Sequence, residues 1–227
     1  MKKKFDAIAQ SFAQWECSGR QYKYDQIADK EGNLHKLEHG EVITGLLYYF
    51  SGNSKEAKGY GLDTRKGIRI VGNTGSGKTL IMRIFMAIHP IKPFYIKRCP
   101  DVVEEYNAAG DSVLKYGINS VKFLTQGSFY GYKATHMCFD DLGKEPLGGH
   151  FAKKNKNVMG EILDARYDHW IKHGQITHIT DNINDKNSDR SKTLEGLYGD
   201  RIEGRIFQMT NKIILGGDVN SVDFRRL

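Results

Sequence analysis

Apolar residues along the chain follow two different periods. Phe5, Ile8, Phe12 and Trp15 recur at the three- and four-residue spacing that lines one face of a helix, which predicts an amphipathic N-terminal helix. EVITGLLYYF gives a second predicted helix, over residues 40–50, a broad apolar face. SGNSKEAKGYG, residues 51–61, is rich in Gly, Ser and Lys and predicts a loop. That loop is the expected boundary between a small N-terminal helical region, 1–60, and a second region, 61–227. Beyond it the pattern changes. Short β-branched or aromatic runs (GIRIVG, FYIKRC, ATHMCFDD, THIT, KIILGG) are interleaved with longer helical stretches (TLIMRIFMAIHP, PDVVEEYNAAG, NVMGEILDARYDHWIKHG). Strands alternating with helices predict an α/β fold in which a parallel sheet is sandwiched by helices. Residues 111–133 show neither period and receive no assignment.

Composition narrows the class. No run approaches the roughly 18 apolar residues of a membrane span. MKKKF is followed by DAIAQSFAQWE, whose Asp, Gln and Glu interrupt the apolar core that a secretory signal needs. Cys17, Cys99 and Cys138 are odd in number, far apart and not in CxxC spacing, which predicts reduced thiols and a cytoplasmic protein. The net charge of +7 suits a polyanionic partner. The densest downstream basic cluster, Lys153, Lys154 and Lys156, reads equally as a DNA contact or as a solubilising loop. His169 and His173 have the four-residue spacing of a zinc pair, but no HExxH or neighbouring Cys accompanies them, so they read as surface or packing residues.

The strongest chemical signal is GNTGSGKT, residues 72–79, a full GxxxxGK(S/T) match between the strand-like IRIV and the helix-like TLIMRIFMAI. Glycines let such a loop turn its backbone N–H groups toward phosphates, and the following helix N-terminus adds positive potential. Asn73, Thr74, Gly75, Ser76, Gly77, Lys78, Thr79 and Leu80 are therefore the expected nucleotide-binding residues. Lys78 would bridge the β- and γ-phosphates of ATP, and the Thr79 hydroxyl would ligate Mg²⁺. HMCFDD, a strand ending in two carboxylates, supplies Asp140 as the second Mg²⁺ partner and Asp141 to orient or deprotonate a water. A third strand, ITHIT, runs into Asp181 and Asn182; Asn182 is the expected γ-phosphate sensor and Thr180 the alternative. Arg201 and Arg205, four apart in LYGDRIEGRIFQ, share one helical face, which by itself is the ordinary spacing of a solvated basic face.

Taken in order, IRIVGNTGSGKT, FDDLGKE, EILDARYDHW, THITDN, YGDRIEGRIFQM and ILGGDVNSVDFR resemble the DnaC/IstB group of AAA+ ATPases, the bacterial helicase loaders and transposition helpers, in a phage or mobile-element version. The resemblance covers about residues 60–227. It implies a P-loop NTPase core of the AAA+ type that hydrolyses ATP at subunit junctions, each neighbour supplying an arginine finger. Arg201 and Arg205 both fall at the matching element, with Arg205 preferred. It also implies single-stranded DNA as a ligand and a replicative helicase docked through residues 1–60. One departure is that only about twenty residues follow Phe207, too few for a full C-terminal helical lid; Arg225 and Arg226 are the candidates to replace the lid arginine. Three alternatives stay open: a transposition helper on duplex DNA, a P-loop kinase, and a nucleotide-gated binding module. The last is suggested by Asp141 where many such ATPases carry Glu.

Overall fold

The computed structural model describes residues 25–28, 34–37, 39–88, 91–118, 121–124, 130–133, 136–146, 156–184 and 188–215. The helix expected through Phe5, Ile8, Phe12 and Trp15 lies outside them, as do Cys17, Lys153, Lys154, Arg225 and Arg226. In chain order the elements are β1 (Asp25–Ala28), β2 (Leu34–Leu37), α1 (His39–Phe50), α2 (Ser54–Gly59), β3 (Gly67–Val71), α3 (Lys78–Ala87), β4 (Phe94–Arg98) and α4 (Cys99–Ala109). After a 3-10 turn come α5 (Lys115–Ile118), β5 (Val121–Leu124), β6 (Tyr130–Lys133), β7 (His136–Leu142), α6 (Val158–His173) and β8 (Thr177–Asp181). A second 3-10 turn leads to α7 (Leu194–Tyr198), α8 (Asp200–Met209) and β9 (Thr210–Ile214).

Among the described residues, seven strands form one sheet in the order β2-β1-β9-β3-β8-β7-β4. The five strands from β9 to β4 are mutually parallel, as the alternating pattern predicts. Their connections leap from β3 over β8 and β7 to the edge at β4, then step back to β7, to β8 and past β3 to β9. Parallel crossovers are right-handed, so this reversal must place the β3–β4 connection on one face and the others on the opposite face. Burial follows that rule. Ile81, Met82 and Phe85 of α3 join Ile68, Ile70 and Cys138 in one core. Residues of α4, α6 and α8, including Val103, Leu163 and Ile206, join Met137, Phe139 and Ile179 in the other. The central strands β3 and β8 are buried along their whole length.

Three features depart from the sequence reading. Residues 51–61 are not simply a loop: they contain α2, started by Asn53, whose Oδ1 accepts from the Glu56 N–H at 3.3 Å, and anchored by buried Ala57. The N-terminal region is not purely helical, because β1 and β2 extend the sheet, β1 running antiparallel to β9 with Ile27 opposite Ile213. Packing also continues through residue 60, since Val42, Leu46 and Phe50 of α1 share the core of β3 and α3. Within the unassigned stretch 111–133, α5 is followed by β5 and β6, which pair antiparallel as a separate two-stranded sheet.

Candidate active site

Open parallel sheets bind ligands at the carboxyl ends of their strands. Here the ends of β3, β4, β7 and β8 deliver Gly72, Arg98, Asp140, Asp141, Asp181 and Asn182 to one edge. The loop after β3 turns sharply, with Gly75 at φ +85° and Gly77 at φ +88°, a backbone region that side-chain-bearing residues rarely adopt. Gly77 thereby caps α3, and Lys78 and Thr79 open the helix. Lys78 is 5% exposed, and its ammonium donates to the carbonyls of Gly72 (2.8 Å) and Asn73 (2.9 Å). Burial pulls its pKa down to about 8 and the charge of Lys144 adds to that fall; Asp141, Asp181 and Asp140 oppose it.

The two acidic residues come from an irregularity in β7. Pairing with β8 runs Phe139 opposite Ile179 and then Leu142 opposite Asp181, one residue too many on β7. Asp141 sits in this bulge at φ +62°, the sole non-glycine positive φ among the described residues. A regular strand would send Asp140 and Asp141 to opposite faces; the bulge lets both line the same cleft. Asp140 is nearly fully buried, and its Oδ1 accepts from the hydroxyls of Thr79 (2.8 Å) and Thr180 (2.5 Å). Thr180 in turn accepts from the Asp141 N–H at 3.0 Å. Asp140, Thr79 and the start of α3 are thus locked to the tip of β8.

This is a P-loop NTPase fold.

The cleft holds about 690 Å³ and is lined by Thr74, Gly75, Gly77, Lys78, Thr79 and Leu80 of the loop and α3, by Asp140 and Asp141, and by three further cations, Arg83, Arg98 and Lys144. Asn73, which is exposed, and Ser76, which is buried, are not among the lining residues; the Asn73 carbonyl accepts from Lys78 and from the Ser76 N–H. Asn182 reaches the loop, its Nδ2 donating to the Thr74 hydroxyl at 3.0 Å, whereas the Thr180 hydroxyl is spent on Asp140. The converging Thr79 hydroxyl and Asp140 carboxylate fit Mg²⁺, a hard cation that takes few protein oxygens and completes its shell with water and phosphate. No group of three or more His, Cys, Asp or Glu suited to another metal occurs among the described residues.

Arg201 and Arg205 do not enter this cleft. Both lie on α8 against α6: Arg201 reaches Asp164 Oδ2 at 3.1 Å, and Arg205 bonds Asp164 Oδ1 (2.8 Å), the Asp164 carbonyl (3.0 Å) and Asp168 (3.2 Å). Lys156, the described member of the basic cluster, is tied to Asp111 and Glu161. The His169 and His173 rings lie 5.2 Å apart on α6. Cys99 and Cys138 are free, buried thiols whose pKa values burial pushes well up.

Sequence reasoning missed four residues. Arg69 and Asp181, both fully buried, form a two-pronged ion pair between β3 and β8 (2.7 and 3.2 Å), while the Asp181 carbonyl accepts from the Gly72 N–H. The available signal was a charge inside the apolar run IRIV and a carboxylate ending THITD. Arg98 and Lys144 also line the cleft: Arg98 lies in no quoted motif, and Lys144 falls within FDDLGKE, where sequence reasoning assigned it no role.

No protein-family model and no curated protein matches the sequence. Among solved structures the chain is similar to a candidate primosome component from Streptococcus pyogenes serotype M3, at 15% identity and a TM-score of 0.49 over 78% of each chain. It is also similar to DnaI, at 21% identity and a TM-score of 0.45 over 67% of this chain and 71% of that one.

Proposed function

We propose that this chain is a Mg²⁺-dependent ATPase of the helicase-loader type, hydrolysing ATP at junctions between copies of itself and acting on single-stranded DNA and a replicative helicase. The observation that carries the reading is the 2.8 Å bond from Thr79 to Asp140, which joins the phosphate loop to the acidic strand at one point. Assignment to loaders among such ATPases is supported by the ordered motifs from residue 60 onward. Residues 1–60 are proposed to dock the helicase.

Lys78, on the first turn of α3, would trade the Gly72 and Asn73 carbonyls for β- and γ-phosphoryl oxygens. Thr79 and Asp140 would hold Mg²⁺, which would supply charge neutralisation to the phosphates. Asp141 would orient a water for in-line attack, so that a new phosphorus–oxygen bond forms as the bond to the ADP oxygen breaks. Asn182, already at Thr74, would report whether the γ-phosphate is present. For the finger supplied to a neighbour we propose Arg201 in preference to Arg205, because its side chain is 67% exposed whereas that of Arg205 is 17% exposed and clasped by α6.

The test is ATP turnover by the full chain with and without single-stranded DNA, alongside Lys78→Ala. The expected outcome is stimulation by single-stranded DNA, co-purification with a replicative helicase, and loss of ATP binding in the variant. Retention of ATP binding by Lys78→Ala would sink the nucleotide reading. Stimulation by duplex DNA alone would replace the loader with a transposition helper.

A further inference from the structure

We infer that Lys144 is the cation with which this chain itself recognises the γ-phosphate, releasing Asp141 when a triphosphate occupies the cleft. The inference rests on the nucleotide reading above and gives a role to a residue of FDDLGKE to which the motifs alone assign none.

The turn that carries Lys144 is built rather than incidental. Asp141 at φ +62° and Gly143 at φ +84° fold the chain back after β7, and the Lys144 N–H closes the turn on the Asp141 carbonyl at 3.2 Å. Glycine suits position 143, because its φ is one that side-chain-bearing residues rarely adopt and a Cβ there would have to push aside the end of the Ile183 side chain, 2.9 Å away. From below, buried Glu145 fixes the turn. Its Oε2 accepts from the Gly143 N–H at 2.9 Å, and its Oε1 receives the Tyr198 hydroxyl. The backbone at Lys144 is therefore held, while its side chain, 40% exposed, is a flexible four-carbon arm ending in a compact charge.

That arm ends 2.7 Å from Asp141 Oδ1, on the wall of the cleft that Lys78 also lines. Lys144 adds to the fall in the Lys78 pKa that burial causes, while Asp141, Asp181 and Asp140 oppose it, so the two ammonium groups face one cleft with carboxylates beside them. A γ-phosphate is an anion that both could contact. The same exchange frees Asp141. While it holds Lys144, this carboxylate has one oxygen committed; once the ammonium moves to phosphate, both oxygens are available to a water. ADP offers no γ-phosphate, so the ion pair re-forms and the site returns to rest. The other two cations on the cleft wall fit this role less well. Arg98 pairs with Asp101, which does not line the cleft, so its release would free no carboxylate there, and Arg83 lies a full helical turn beyond Thr79.

The experiment compares wild type, Lys144→Met and Lys144→Arg as full chains, measuring equilibrium affinity for ADP and for a non-hydrolysable ATP analogue, and single-turnover hydrolysis. The methionine variant is expected to lose roughly tenfold in affinity for the triphosphate, the size of one charge-assisted contact. Its ADP affinity should stay within about twofold, which also shows that it is folded. Hydrolysis should slow, and arginine should restore most of the triphosphate preference. Unchanged triphosphate affinity in Lys144→Met beside a normally binding wild type overturns the assignment alone. Faster hydrolysis in that variant also overturns it, since Lys144 would then only restrain Asp141. A wild type that binds neither nucleotide removes the nucleotide reading itself, and this assignment with it.

Discussion

Arg69 and Asp181 are costly side chains to leave without each other. Both are removed from water beneath the phosphate loop, and their two-pronged contact in low dielectric offsets a desolvation penalty of several kcal/mol per ion. The pair holds β3 against β8 at the level where Gly72 bonds the Asp181 carbonyl, so it sets the height at which the loop leaves the sheet. Asp181→Asn keeps the shape but leaves the guanidinium without its carboxylate. It is expected to lower unfolding free energy by about 3–5 kcal/mol. The double variant Arg69→Met/Asp181→Leu should recover most of that loss, because an apolar pair of similar volume carries no buried charge. Urea denaturation read by linear extrapolation distinguishes the two. A single variant within about 1 kcal/mol of wild type would mean that solvent reaches the pair.

Between elements, two histidines act as strand fasteners. His178 of β8 accepts the Ile68 N–H on its Nδ1 at 3.0 Å, and His136 at the start of β7 accepts the Ile176 N–H at 2.8 Å. Both bonds require a neutral ring. Burial, followed by nearby positive charges that include Arg166 and Lys92, lowers the pKa of His178 to about 3 and of His136 to about 4, from an ordinary 6.5. The unfolded chain therefore takes up protons below pH 6.5 that the folded chain refuses. Stability from these groups is complete above about pH 6.5 and falls as pH drops toward 4 and 3, with a slope of roughly 1 kcal/mol per pH unit for fully buried His178. Thermal unfolding followed from pH 7 to pH 4 should show this decline, and His178→Gln should flatten it; an equal slope in the variant would count against the fastener. Such contacts mark where reading the sequence stops. The strands, the glycine loop and the acidic strand follow from period and composition, since each is specified by neighbours in the chain. Arg69–Asp181, His178–Ile68 and Thr180–Asp140 join residues from 40 to 112 positions apart, so nothing local announces them. The bulge at Asp141 and the strands β1 and β2 were missed for a related reason. A bulge is defined by the partner's register, and four-residue strands at and beside the sheet edge lack the long apolar run that betrays a buried one.

For the proposed assembly, α8 offers two arginines with different obligations. Arg205 bonds two carboxylates and a carbonyl of α6 and stacks 4.5 Å over the Tyr167 ring, so it fastens α8 to α6. Arg201, on the same helix face, is largely exposed and held by one ion pair, to Asp164 at 3.1 Å, so it has less to give up in reaching beyond its own chain. A finger must contact a phosphoryl group of a neighbouring subunit, which a clasped guanidinium can do only by breaking its own bonds. Arg201→Ala is accordingly expected to leave thermal stability near wild type while lowering turnover by about 10³-fold or more. Arg205→Ala should instead destabilise the fold by about 1–3 kcal/mol, through the lost charged hydrogen bonds and ring contact. Mixing decides whether the finger works in trans. Subunits carrying Arg201→Ala keep an intact phosphate loop, and subunits carrying Lys78→Ala keep an intact finger, so a junction of one with the other contains a complete site. Turnover should reappear on mixing two inactive preparations and should rise with total protein concentration. If mixing restores nothing although the subunits associate, Arg201 does not act across the junction. If Arg205→Ala folds normally and is the variant rescued by Lys78→Ala, the two arginines exchange roles and α8 must turn before it can serve its neighbour.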